Sequence, residues 1–288
     1  MGCRRQYAYR RYGSKGKKIN NWRGEEWGRA WRRTVQVLSF GVFGVGALGL
    51  AFVVFPSVWL LPISRDRKTD CIQWLIHSSF RFFLGFISVL GGMEFEWVNG
   101  GALLKNDACL LVANHPTLLD VVLLISRLPQ ADCIVKRELF SNPFLRDVVR
   151  WAGYIANDGG AVVLDQAIER IRRSRKVIVF PEGTRSGRDG LKPFNQGFAH
   201  IAVRAPCKIV PILIRCRPIT LAKGDGLFSV PKQRPRLTAT AGESVAPSDF
   251  FLSSDPVPVA VRKVTAAMAD YFQERVAHDR REHFRNRN

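Results

Sequence analysis

Ala113-Asn114-His115-Pro116-Thr117-Leu118-Leu119-Asp120 is the stretch on which the reading of the fold turns. It closes the apolar run Cys109–Ala113, sets a histidine at its end, and follows with a proline and then a carboxylate. An apolar run that stops at such punctuation reads as a buried strand feeding a helix. Pro116 suits the first helical position, where a missing N–H costs nothing. The spacing constrains the pair. Residues five apart on one continuous helix point about 140° apart at ~3.6 residues per turn. His115 and Asp120 therefore meet only if the histidine stands before the helix and bends back over its first turn. There Asp120 would hold one imidazole tautomer and leave the other nitrogen free as a base. The same residues also fit a loop histidine and a helix-surface aspartate.

A second stretch bears on that choice. Val177-Ile178-Val179-Phe180-Pro181-Glu182-Gly183-Thr184-Arg185-Ser186 is again an apolar strand ending in polar residues. Glu182 and Arg185 would stand beside the strand's end, and Gly183 would let the backbone approach a ligand closely. In open α/β sheets ligands bind at the carboxyl edge of the strands.

On these residues the chain resembles the glycerolipid (lysophospholipid) acyltransferase family. Asn114–Asp120 looks like the family's first block, a histidine and an aspartate separated by four residues. Phe180–Ser186 looks like the third block, residue for residue. Lys136-Arg137-Glu138-Leu139-Phe140 with Pro143 resembles the second block, and Val210-Pro211-Ile212 the fourth. The matches run in family order from about Cys109 to Arg215. The resemblance implies an α/β domain with a mainly parallel or mixed sheet. It also implies transfer of an acyl group from a thioester, on coenzyme A or acyl carrier protein, to a hydroxyl. The acceptor would be a lysophospholipid-like lipid, with 1-acylglycerol-3-phosphate the leading choice.

By the same resemblance His115 and Asp120 are the catalytic pair. His115 would take the proton from the acceptor hydroxyl as its oxygen attacks the thioester carbonyl. Glu182, Gly183, Thr184 and Arg185 would bind the acceptor, with Arg185 gripping an anionic group through two parallel hydrogen bonds. Lys136 and Arg137 would add positive potential, and Pro211 would shape its strand. Thr117 lacks a recognisable activating partner, so direct transfer within a ternary complex is expected, with no acyl-enzyme. No metal and no cofactor beyond the thioester co-substrate is expected. One departure stands out: relatives acting on glycerol phosphates often carry an arginine after the aspartate that matches Asp158, and here that position is Gly159. Acceptors of another kind thus stay open, such as a polyketide-like, aryl-polyene or amino-lipid. So does a non-catalytic lipid-binding scaffold.

The 288 residues suffice for one catalytic domain with an N-terminal addition. The net charge of +20 suits an anionic membrane surface or nucleic acid. No nucleic-acid-binding pattern is present, and the apolar segments decide for membrane lipids as partners. Residues 1–33 form a basic tail in which Trp27 and Trp31 would share one face of a short interfacial helix. Thr34–Ser64 holds no charged residue, and a hydrocarbon core of ~30 Å needs about 20 apolar residues. A second apolar segment, roughly Ile72–Met93, is interrupted by His77 and Arg81. Residues 34–93 are accordingly expected to anchor the chain as a helical hairpin, crossing the bilayer or entering one leaflet. The positive-inside rule keeps the tail in the cytoplasm. The expected place is a bacterial inner membrane, with the catalytic domain on its cytoplasmic face.

Residues 94–278 would form the acyltransferase domain and 279–288 a basic C-terminal tail. Residues 94–108 read as a hairpin or a lead-in to the sheet, with Asn99-Gly100-Gly101 as its turn. A helix is expected over about Pro116–Ser126, and Pro211 marks its strand as an edge or a bulge. Cys3, Cys71, Cys109, Cys133, Cys207 and Cys216 form no C-x-x-C pair and read as reduced thiols.

Overall fold

A computed structural model describes residues 22–101, 108–187, 190–205 and 207–285. The expectations for residues 1–21 and 286–288 lie outside the described residues. The strands are β1 (Glu94–Val98), β2 (Cys109–Ala113), β3 (Asp132–Lys136), β4 (Ile155–Asn157), β5 (Lys176–Val179), β6 (Lys208–Arg217) and β7 (Arg236–Ala241). Among the described residues they form one seven-stranded sheet in the order β1-β7-β6-β2-β5-β3-β4. All neighbours run parallel except β6 and β7, which run antiparallel. The α/β fold with a mixed sheet is as the sequence implied.

The helices are α1 (Trp22–Gly49), α2 (Phe55–Trp59), α3 (Arg65–Val89), α4 (Asp120–Ile125), α5 (Arg146–Trp151), α6 (Ala161–Arg172), α7 (Gly197–Arg204) and α8 (Val257–Arg285). They cover both faces of the sheet, which is why its central strands are apolar throughout. Cys109, Leu111 and Ala113 of β2 face one core, shared with Ile76 of α3 and Leu123 of α4. Leu110 and Val112 face the other, shared with Ala167 of α6, Phe198 of α7 and Val264 of α8. Every residue of β2 is buried.

α1 begins at Trp22, within the stretch read as a basic tail, and takes in both Trp27 and Trp31. Leu50–Val54 forms a π-helical turn between α1 and α2. Pro56 has no N–H to donate and its ring crowds the preceding turn, so a wider turn just before it relieves both. α3 starts where the Ser64 hydroxyl accepts the Arg67 N–H at 3.4 Å, with Asp66 in its first turn. α3 then lies across the sheet layer. Gln73 Nε2 donates to Ala152 O at 2.9 Å, and His77 Nδ1–H donates to Ile125 O at 2.8 Å. α1 packs on α3 from outside, with Phe43 and Phe83 ring centroids 5.2 Å apart.

Two local expectations are corrected and a third is decided. Of the two readings of residues 94–108, the lead-in to the sheet describes residues 94–98, where β1 pairs in parallel with the distant β7; residues 102–107 lie outside the described residues. The alternation Glu94-Phe95-Glu96 matches Arg236-Leu237-Thr238 across that pair, and Glu94 meets the Arg236 guanidinium at 2.7 Å. Pro116 does not begin a helix: α4 starts at Asp120, because Thr117–Leu119 form a turn closed onto the Asp120 carboxylate. Pro211 is on an interior strand, not an edge. Its missing donor falls where the β6–β7 ladder ends: Gly242 N–H donates to Pro211 O at 2.8 Å, and the reciprocal bond is the one omitted.

Candidate active site

β2 and β5 are neighbours, and both run with their carboxyl ends toward the same edge. The loops that follow them therefore meet. His115 comes two residues after β2, and Phe180–Arg185 follows directly on β5. The ring of His115 stacks on Phe180 with centroids 4.4 Å apart. The two stretches singled out in the sequence are thus one site.

The histidine bends back over the turn before α4, as the spacing required. His115 Nδ1 lies 2.7 Å from Asp120 Oδ2. Asp120 is fully buried, and Thr117 satisfies it further: the Thr117 N–H donates to Oδ2 at 2.7 Å and its hydroxyl to Oδ1 at 2.6 Å. Burial pushes the Asp120 carboxyl above the usual range, while His115 and the two Thr117 donors pull it back. With Nδ1 engaged, Nε2 is left without a hydrogen-bond partner among the described residues. The His115 side chain keeps 18% of its surface exposed. The loop histidine and surface aspartate considered above do not describe this pair. Thr117, for which the sequence offered no recognisable partner, gives its hydroxyl proton to Asp120 and so helps hold that carboxylate in place.

Glu182 is buried and faces inward. Its Oε1 accepts from the His115 N–H at 2.9 Å and the Ser186 hydroxyl at 2.7 Å, and its Oε2 accepts from the Lys192 N–H at 3.0 Å. Ser186 N–H in turn donates to His115 O at 2.6 Å. The carboxylate therefore clamps the histidine backbone to the loop after β5. Gly183 sits at φ +65°, where a side chain is strained, and a Cβ there would come within 3.0 Å of Asn195 Nδ2. Thr184 is half-buried beside it. Arg185 Nη1 donates to Leu221 O at 2.9 Å and Ala222 O at 3.2 Å, which ties the loop after β6 over the site.

Lys136 ends β3 at the same edge and is exposed. Arg137 follows it but is ion-paired with Asp158, so much of its charge is already answered. Pro211 is placed below this edge, in the β6 ladder beside Val112. Sequence reasoning passed over Asn114, whose amide replaces a missing strand partner. Its Nδ2 donates to Ile214 O at 2.9 Å, and its Oδ1 accepts the Ile214 N–H at 2.7 Å. A buried polar residue directly after an apolar strand was the available signal. Nothing in the sequence pointed to Ser186 or Phe180 beyond membership of the block.

The family model described as Acyltransferase matches residues 97–215. A 1-acyl-sn-glycerol-3-phosphate acyltransferase of Helicobacter pylori is 36% identical over 58% of this chain and 68% of its own length. One of Cocos nucifera is 26% identical over 60% of this chain, which spans only 58% of that protein's length. Among solved structures, the 1-acyl-sn-glycerophosphate acyltransferase of Thermotoga maritima superposes with a TM-score of 0.68 at 18% identity. It covers 87% of this chain and 97% of its own.

Proposed function

This chain belongs to the glycerolipid acyltransferase family, and on that premise we propose that it is a membrane-bound O-acyltransferase. It would move an acyl group from a coenzyme A or acyl carrier protein thioester to the free hydroxyl of a lysophospholipid-like acceptor, 1-acylglycerol-3-phosphate first among them. The observation that carries the proposal is the His115–Asp120 pair, held at 2.7 Å at the carboxyl edge of the sheet.

In this reading His115 Nε2 takes the proton of the acceptor hydroxyl while that oxygen attacks the thioester carbonyl. Asp120 holds the tautomer that keeps Nε2 unprotonated beforehand and stabilises the imidazolium that forms. The tetrahedral intermediate collapses by losing the thiolate, and the imidazolium returns its proton to that sulfur. Glu182 keeps His115 in place from the backbone side. An apolar cavity of about 50 Å3, lined by Val35, Phe40, Phe83, Ile87, Leu119 and Leu221, adjoins the turn that carries the dyad.

The membrane reading is supported by α1 and its continuation. Trp27–Trp59 contains a window of mean hydropathy 2.3 of which only 17% is buried. Val45, Phe52, Val53 and Leu60 are all more than half exposed. α3 is bonded at His77 to α4 and at Gln73 to the end of α5 and does not stand clear of the domain, which favours the pair lying in one leaflet over a spanning hairpin. The test is a purified-protein assay with each thioester donor and a panel of acceptors, the products read by mass spectrometry. A diacyl phosphate lipid is expected; thioester consumption with none of the acceptors would reject the proposal.

A further inference from the structure

Among the described residues, the ion pairs leave Lys136, Lys192 and Lys223 at this edge unanswered. Backbone bonds fix where two of them stand. The Lys192 N–H and the His115 N–H are bound by the two oxygens of one carboxylate, that of Glu182. Lys223 follows Ala222, whose carbonyl accepts from Arg185, and Leu221 O accepts the Leu118 N–H at 3.0 Å. The loops after β5 and β6 are thereby stitched to the His115 turn, and each presents a lysine beside it. Burial and the neighbouring Lys223 charge hold Lys192 below the usual lysine range, with Lys136 adding to the effect against Glu182.

The carboxylates within reach are committed. Glu182 accepts from His115, Ser186 and Lys192 main-chain or hydroxyl donors. Asp225 accepts the Ala222 N–H at 3.0 Å and has a further interaction of its own. Asp158 pairs with Arg137 across the site. Like charges held on neighbouring loops repel each other, and a bound anion with two or more oxygens relieves that repulsion.

We infer that Lys192 and Lys223 form a two-ammonium clamp for the phosphate monoester of the acceptor. The clamp supplies from the β5 and β6 loops the positive charge that Gly159 withholds on the β4 side. It rests on the acyltransferase reading and adds which residues select the headgroup. Lysine suits the task as a mobile point charge, where arginine offers a fixed fork. Coenzyme A also carries phosphate, so the test separates donor from acceptor.

Lys192→Ala, Lys223→Ala and the double variant are assayed with 1-acylglycerol-3-phosphate and with 1-monoacylglycerol, which has the hydroxyls but no phosphate. Each single change is expected to raise KM for the phosphate acceptor about tenfold, with a far smaller effect on kcat. The preference for the phosphate acceptor should collapse in the double variant, and Lys192→Arg should recover most of it. Lys208→Ala, at the opposite end of β6, should change none of these constants. Binding of sn-glycerol 3-phosphate, followed by calorimetry on wild type and double variant, reads the clamp without turnover and should weaken at least tenfold. Unchanged glycerophosphate affinity, or a rise confined to the donor's KM, would overturn the clamp. Absence of transfer to any acceptor with glycerophosphate binding intact and lysine-dependent would instead reject the acyltransferase reading and leave the clamp standing.

Discussion

Asp120 sets its proposed part in catalysis against stability at the scale of one side chain. A carboxylate with no exposed surface is costly to ionise, and Thr117 and His115 return only part of that cost. Its folded pKa is raised, so as pH climbs through the window above the unfolded value of about 3.9, ionisation draws stability down. Asp120→Asn removes that cost and keeps an acceptor for Thr117. The variant should lose acyl transfer, and its melting temperature relative to wild type should rise between pH 4 and pH 7; a constant difference would contradict the burial argument. Glu182→Gln tests the clamp on His115 differently. It keeps the size but weakens three accepted hydrogen bonds. The expected result is a fall in kcat of about tenfold to a hundredfold, within the range that misplacement of a catalytic group produces, with acceptor KM little changed. A KM effect alone would move Glu182 to the acceptor side, where the sequence had first put it.

At the scale of elements, the join between α3 and the sheet depends on Arg175. Its Nε meets Asp132 Oδ2 at 2.6 Å, its Nη1 meets Asp70 Oδ1 at 2.8 Å, and its Nη2 donates to Gln73 Oε1 at 2.7 Å. Asp132 is fully buried. Arg175→Met would strand that charge, and stranding one partner of a buried pair costs roughly 3–5 kcal/mol. Urea unfolding should show it, and Arg175→Met with Asp132→Leu should recover much of the loss. Local signals served unevenly at this scale. β2 and β5 were legible because buried parallel strands are close to uninterrupted apolar runs. β1 was not, since five residues with one half-buried and one exposed glutamate carry no mark of a partner more than a hundred positions away. Pro211 misled because a proline reports a missing donor but not which neighbour does without it. His115 and Asp120 were legible because their spacing admits one geometry. The network around Arg175 was not, since its members are scattered from Asp70 to Arg175.

At the scale of the whole molecule, an apolar outer helix and the sheet edge that carries the His115–Asp120 pair belong to one body. The exposed residues of α1 and its continuation give the membrane reading a direct test. Val45→Asp with Phe52→Asp should reduce co-flotation with anionic vesicles severalfold, leaving the fold intact by circular dichroism; undiminished flotation would assign the contact elsewhere. Burial pushes the thiols of Cys109, Cys133, Cys207 and Cys216 up to about 11 or 12, as suits packing groups. The proposal places the chemistry on the imidazole. The most direct measurement is acyl transfer by His115→Ala beside wild type, in the same vesicles and with the same donor. Turnover should drop by about a hundredfold to ten-thousandfold, the share a positioned general base contributes, while folding and vesicle binding stay unchanged. Near-normal turnover by that variant would contradict the assignment of His115 as the base.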